Sequence, residues 1–118
     1  AYYPHPKSCI YKLNSRIKAS APEAYWDYLD KYAPVMTAHS LTIPMLFLQG
    51  ERDYQVTMQD FAMWKLGMFG KPNVTFRSYP SLNHCFMEGT GKSTPMEYNH
   101  PGRVSEKVIK DIAEWAIH

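Results

Sequence analysis

The chain has 118 residues, 45% hydrophobic and 20% charged, with a formal net charge of +2. That is ordinary composition for one globular domain with a modest core, and the scattered basic residues form no electrostatic footprint for nucleic acid. The longest apolar run, around "PMLFL", is far too short for a membrane span, and Cys9 and Cys85 form neither a CxxC unit nor a disulfide framework.

Residues 1–22 show no clear hydrophobic period and carry Pro4, Pro6 and Pro22, so a loop or extended arm is expected. There is no starting Met and no secretory signal, which reads as a processed or trimmed chain and leaves the compartment open. "PEAYWDYLDKY" places Pro22 in a first helical turn and Tyr25, Leu29 and Tyr32 at helical spacing. The many aromatics here lack interleaved Arg and Lys, so they read as core or interface rather than a base-stacking platform. After Pro34, "PVMTAHSL" predicts a second short helix.

The stretch from Ile43 to Gln49 is nearly all apolar and ends at Gly50, as in a strand buried on both faces. "ERDYQV" reads as a loop. A helix is predicted near 58–67, with Thr57 as N-cap, Asp60 completing a variant capping box, and Phe61, Trp64 and Met68 along one face. Gly67 or Gly70 stops it. "NVTFRSYP", residues 73–80, alternates, Val74 and Phe76 facing one way and Thr75, Arg77 and Tyr79 the other, which predicts a second strand. A long loop over about 80–102 precedes a last helix near 104–116, striped by Val104, Val108, Ile112 and Trp115. Strand, helix, strand implies a right-handed βαβ unit with parallel strands.

Within the long loop, "GTGKST" imitates a phosphate-binding loop. The full pattern G-x-x-x-x-G-K-[ST] needs a glycine at 86, where Phe86 stands, and a following helix that Pro95 and Pro101 oppose. A glycine-rich turn is the better reading.

In open α/β sheets functional groups gather beyond the carboxyl ends of the strands. Asp53 stands just past the first strand and His84 just past the second, so side-by-side strands would let them meet. An acid bonded to one imidazole nitrogen fixes the tautomer and frees the other nitrogen as a base. Glu51 is a rival acid. His5, His39, His100 and His118 lack a comparable setting, and Cys85 reads as a small packing residue.

"LQGERDYQV", "SLNHCF" and the closing amphipathic helix together resemble the C-terminal part of an α/β-hydrolase, near the dienelactone-hydrolase-like esterases. The resemblance covers residues 43–118. It implies an α/β fold: the C-terminal portion of a doubly wound, mainly parallel sheet, with residues 1–118 as one segment of a single domain. It also implies that Asp53 is the triad acid and His84 the general base, with no cofactor and no metal. The family's nucleophile sits on a G-x-S-x-G elbow that precedes acid and histidine in the chain. No serine here has that setting; Ser93 has Gly91 before it but Pro95 where the second glycine belongs, and it follows His84. The nucleophile, serine or cysteine, is therefore expected outside this chain. Tyr54, Gln55 and Tyr98 are the candidate substrate contacts, with Lys92 and His100 in the loop expected over the site mouth.

Two functions follow. One is the acid/base half of a hydrolase acting on a small-molecule ester or acyl substrate, inactive alone, with neither nucleic acid nor membrane as partner. The alternative is a non-catalytic α/β domain that binds a ligand or protein. Either way a sheet edge left bare invites self-association.

Overall fold

The computed structural model describes residues 31–118 together with Ala24. The arm expected over residues 1–22 and most of the helix expected in "PEAYWDYLDKY" lie outside the described residues. The described chain runs α1 (Pro34–Ser40), β1 (Met45–Gly50), α2 (Met58–Gly67), β2 (Val74–Tyr79), a 3-10 turn (Pro95–Asn99) and α3 (Glu106–Ile117).

Pro34 opens α1, where a missing N–H costs nothing. Its C-terminal end is held by Lys71 Nζ, which donates to the carbonyls of His39 (2.6 Å) and Leu41 (2.9 Å). A cation there satisfies carbonyls that the helix itself leaves open. Beyond Pro44, β1 pairs with β2 in parallel, from Met45 opposite Val74 to Gly50 opposite Tyr79. The first strand starts two residues later than the sequence predicts, because Ile43 sits before the proline and is exposed.

Between the strands, α2 starts where Asp60 Oδ2 accepts the Thr57 N–H (2.8 Å) and hydroxyl (3.1 Å). This is the reaching-back half of a capping box. Trp64 and Phe61 then lie on a pair of strand aromatics: Trp64 is 5.0 Å from Phe47, Phe61 stands edge-on to Phe76 at 5.5 Å, and Phe47 and Phe76 stack at 4.8 Å. Met68, the C-cap of this helix, is buried as well.

The opposite face of the strands meets α3. Tyr79, Leu82 and Val108 form its buried centre, with Leu48 and Phe86 packed against them. The Tyr79 hydroxyl donates to Asp111 Oδ2 at 2.8 Å, and Arg77 pairs with the same carboxylate at 2.9 Å. A helix on each face of a parallel strand pair is an α/β arrangement.

Three expectations are corrected. β1 is not buried on both faces: Met45 to Leu48 are only half-buried, since two strands and two helices cannot enclose it. Val104 precedes α3 rather than joining it, because Ser105 N–H is drawn to the Phe86 carbonyl at 2.8 Å and becomes the N-cap. Along the predicted stripe, Val108 is buried but Val104 and Ile112 are exposed, while Asp111, which looks like a solvent-facing residue, is buried.

Candidate active site

β1 and β2 end side by side, and the segments leaving them touch at once. Arg52 N–H donates to the Leu82 carbonyl (3.0 Å) and Glu51 N–H to that of Tyr79 (2.9 Å). Gly50 permits this approach: a Cβ there would run into the carbonyl oxygens of Asn83 and Leu82. Gln49, buried at the end of β1, donates from Nε2 to the carbonyls of Gly50 (2.9 Å) and Val56 (2.7 Å), so the 50–56 loop is closed at its base.

Asp53 lies in that loop with its carboxylate almost wholly buried. Oδ1 accepts the N–H groups of Gln55 (2.8 Å) and Val56 (3.0 Å), an Asx-turn arrangement. Oδ2 meets His84 Nδ1 at 2.7 Å, inside the 2.6–3.2 Å expected for an acid–base contact. The imidazole is 42% exposed, against 5% for the carboxylate, and no described residue bonds its Nε2. A buried acceptor on one ring nitrogen and open space at the other is what a proton-transferring histidine needs.

The His84 loop is a tight turn. Phe86 adopts a left-handed φ of 56°, uncommon for a bulky residue. The turn is held by Phe86 N–H on the Asn83 carbonyl (3.0 Å) and by Asn83 Oδ1, which accepts the N–H groups of Cys85 (3.0 Å) and Met87 (3.1 Å). That geometry leaves Cys85 exposed with a free thiol, so its expected packing role is corrected. The alternation of an extended strand does not apply within a turn.

Glu51 does not compete for the histidine. Its carboxylate accepts from the Ser78 hydroxyl at 2.7 Å. Gln55 is exposed and donates from its side chain to the Tyr54 hydroxyl (3.1 Å), and the Tyr54 ring lies 6.4 Å from that of Tyr98. Burial, then the nearby Cys85, Tyr54 and Asp53, pushes the Tyr98 hydroxyl up to about 12. Tyr54 and Tyr98 thus form an aromatic pair near both Asp53 and Cys85. Lys92 and His100 are exposed.

The glycine-rich stretch folds back on Arg52. The carbonyls of Gly91 and Thr90 accept from its guanidinium at 2.6 and 3.3 Å. A loop that aims carbonyl oxygens inward suits a cation, whereas a phosphate cradle aims N–H groups. Sequence reasoning passed over Arg52, Asn83, Glu97 and Gln49. The signal was an arginine immediately before the candidate acid and a lone amide at the end of an apolar strand.

Among the described residues no group of His, Cys, Asp and Glu gathers to hold a metal ion, and no helix is long and apolar enough to cross a membrane. No protein-family model matches the chain, and no solved structure matches it. Among curated proteins it is 43% identical over 97 residues to Esterase EstD of Thermotoga maritima, a match covering 82% of this chain and 24% of that protein. The chain therefore spans about a quarter of the length of this relative, and it is related in sequence to part of an esterase.

Proposed function

We propose that this chain is the acid/base portion of a carboxylic ester hydrolase built as a doubly wound α/β-hydrolase sheet, in which Asp53 and His84 serve a nucleophile contributed from outside these 118 residues. The observation that carries the reading is the 2.7 Å contact between Asp53 Oδ2 and His84 Nδ1, formed at the carboxyl ends of two adjacent parallel strands. The likeness to an esterase supports the choice of ester as substrate.

The chemistry follows from the contact. Asp53 Oδ2 accepts a hydrogen bond from Nδ1–H, which fixes the tautomer and leaves the Nε2 lone pair free. Nε2 takes the proton of the nucleophile's hydroxyl or thiol as that atom attacks the ester carbonyl carbon. The resulting imidazolium is stabilised by the Asp53 carboxylate. When the tetrahedral intermediate collapses, the alkoxide leaves and takes the same proton from Nε2, giving an acyl-enzyme and an alcohol. Water repeats the sequence and releases the carboxylic acid. Tyr54, Gln55 and Tyr98 are proposed to line the substrate side.

The isolated chain is expected not to turn over p-nitrophenyl acetate above a His84→Ala control, since on this reading the nucleophile and the oxyanion donors come from outside it. In a longer protein that includes the preceding coding sequence, hydrolysis should appear, and His84→Ala and Asp53→Asn should each lower kcat by roughly 10⁴-fold. A longer protein equally active with His84→Ala would overturn the assignment.

A further inference from the structure

Arg52 is buried to 7% exposure, deep for a charged side chain, and it points away from the Asp53–His84 pair into the long loop. Its Nε donates to the Gly91 carbonyl, its Nη1 to that of Ser81 (3.3 Å) and its Nη2 to that of Thr90 (3.3 Å). Nη2 also forms an ion pair with Glu97 Oε1. The other oxygen of that carboxylate, Oε2, accepts from Asn83 Nδ2 at 3.1 Å. Asn83, 1% exposed, spends its own oxygen on the N–H groups that shape the His84 turn.

The chain of contacts therefore starts one residue before Asp53 and ends one residue before His84. A planar guanidinium presents several donors in a fixed fork, so it locks distance and orientation together. Gly89 belongs to the same unit: a Cβ there would occupy the space of the guanidinium. The left-handed Phe86 is a further sign, because a strained backbone persists only where its surroundings over-determine it.

We propose that Arg52, Glu97 and Asn83 form a positioning unit that sets the His84 imidazole against Asp53, with Glu97 as the joint between the acid's loop and the histidine's turn. The inference rests on the Asp53–His84 reading above. None of the three touches the reacting atoms. Their effect runs through the backbone on either side of the dyad.

The test is the tautomer of His84 in the 118-residue chain, read by long-range ¹H–¹⁵N NMR at a pH where the ring is neutral. The wild-type ring should carry its proton on Nδ1. Arg52→Met, which fills the space without donors, should shift the ring substantially towards the Nε2–H form that free imidazole side chains prefer. Glu97→Gln keeps the volume and one acceptor, so it should give an intermediate mixture and serves if Arg52→Met does not fold. In the longer hydrolytic protein the same variants should lower kcat about 10–100-fold with KM little changed, as expected when a catalytic group is displaced by a fraction of an ångström to an ångström.

Variants that fold and keep both the wild-type tautomer and the wild-type kcat would overturn the positioning role while leaving the dyad standing. So would variants that lose only thermal stability. A wild-type chain with Nε2–H would overturn the dyad and the positioning unit together.

Discussion

Asp53 and Asp111 show how one residue type takes two roles from its surroundings. Asp53 divides its oxygens, one on two backbone N–H groups and one on an imidazole. Asp111 instead gathers the Tyr79 hydroxyl, Arg77 and Lys107 on a helix face. The hydrogen bond from Tyr79, helped by the charges of Lys107 and Arg77, holds the Asp111 carboxyl below its ordinary value of 3.8. Burial, then the bond and charge of Asp111, pushes Tyr79 up from 10.0 to about 12. The two shifts act at opposite ends of the pH scale. A lowered carboxylate contributes stability above its unfolded value and loses it as pH falls through the folded one. A raised phenol contributes below pH 10 and loses its contribution as pH climbs towards 12. Tyr79→Phe should remove the alkaline loss and lower stability at neutral pH, because it deletes the hydrogen bond to the Asp111 carboxylate. Denaturant unfolding from pH 3 to 11 checks this; a stability profile identical to wild type would exclude the bond as a contributor.

At the scale of elements, the junction of β1 with the segment after β2 decides whether a site forms. The strands are held by their ladder, but the dyad depends on how closely the chain segments leaving them can run. Gly50 sets that closeness, because backbone oxygens rather than flexible side chains occupy the space of its missing Cβ. Gly50→Ala should therefore destabilise the fold by about 1–3 kcal/mol, the usual cost of overpacking, and separate Asp53 from His84. Unfolding midpoints and the His84 ring shifts would report the two effects. Retention of both would mean that the two segments can part without consequence.

Among the described residues several large apolar side chains face outward. Leu66, Phe69, Ile109 and Ile117 are each more than half exposed. Among the described residues each strand has a single sheet neighbour, leaving unpaired backbone groups on the outer edges. Bare edges beside apolar surface favour pairing with another copy or with further strands. We expect concentration-dependent association of this chain in sedimentation velocity, weakened by Lys placed at Thr75 in β2. A strict monomer at high concentration would count against it.

The α/β character, both strands to within two residues and α2 were legible from local rules, as was the meeting of an acid after β1 with His84; that the acid is Asp53 rather than Glu51 came from the family resemblance. Apolar runs, alternation and helical stripes repeat over short distances, and parallel strands bring distant strand ends together whatever lies between. The Arg52–Glu97–Asn83 unit was not legible. Glu97 is 45 residues from Arg52, in a loop with no periodicity to place it. The same holds for Asp111, an acidic residue on a helix, whose burial depended on where Tyr79 and Arg77 would stand on the neighbouring strand. Periodicity tells which way a side chain points along its own element. Only the packed structure decided which polar groups from separate elements would share one enclosed space, because burial makes a polar partner obligatory but does not say which it will be.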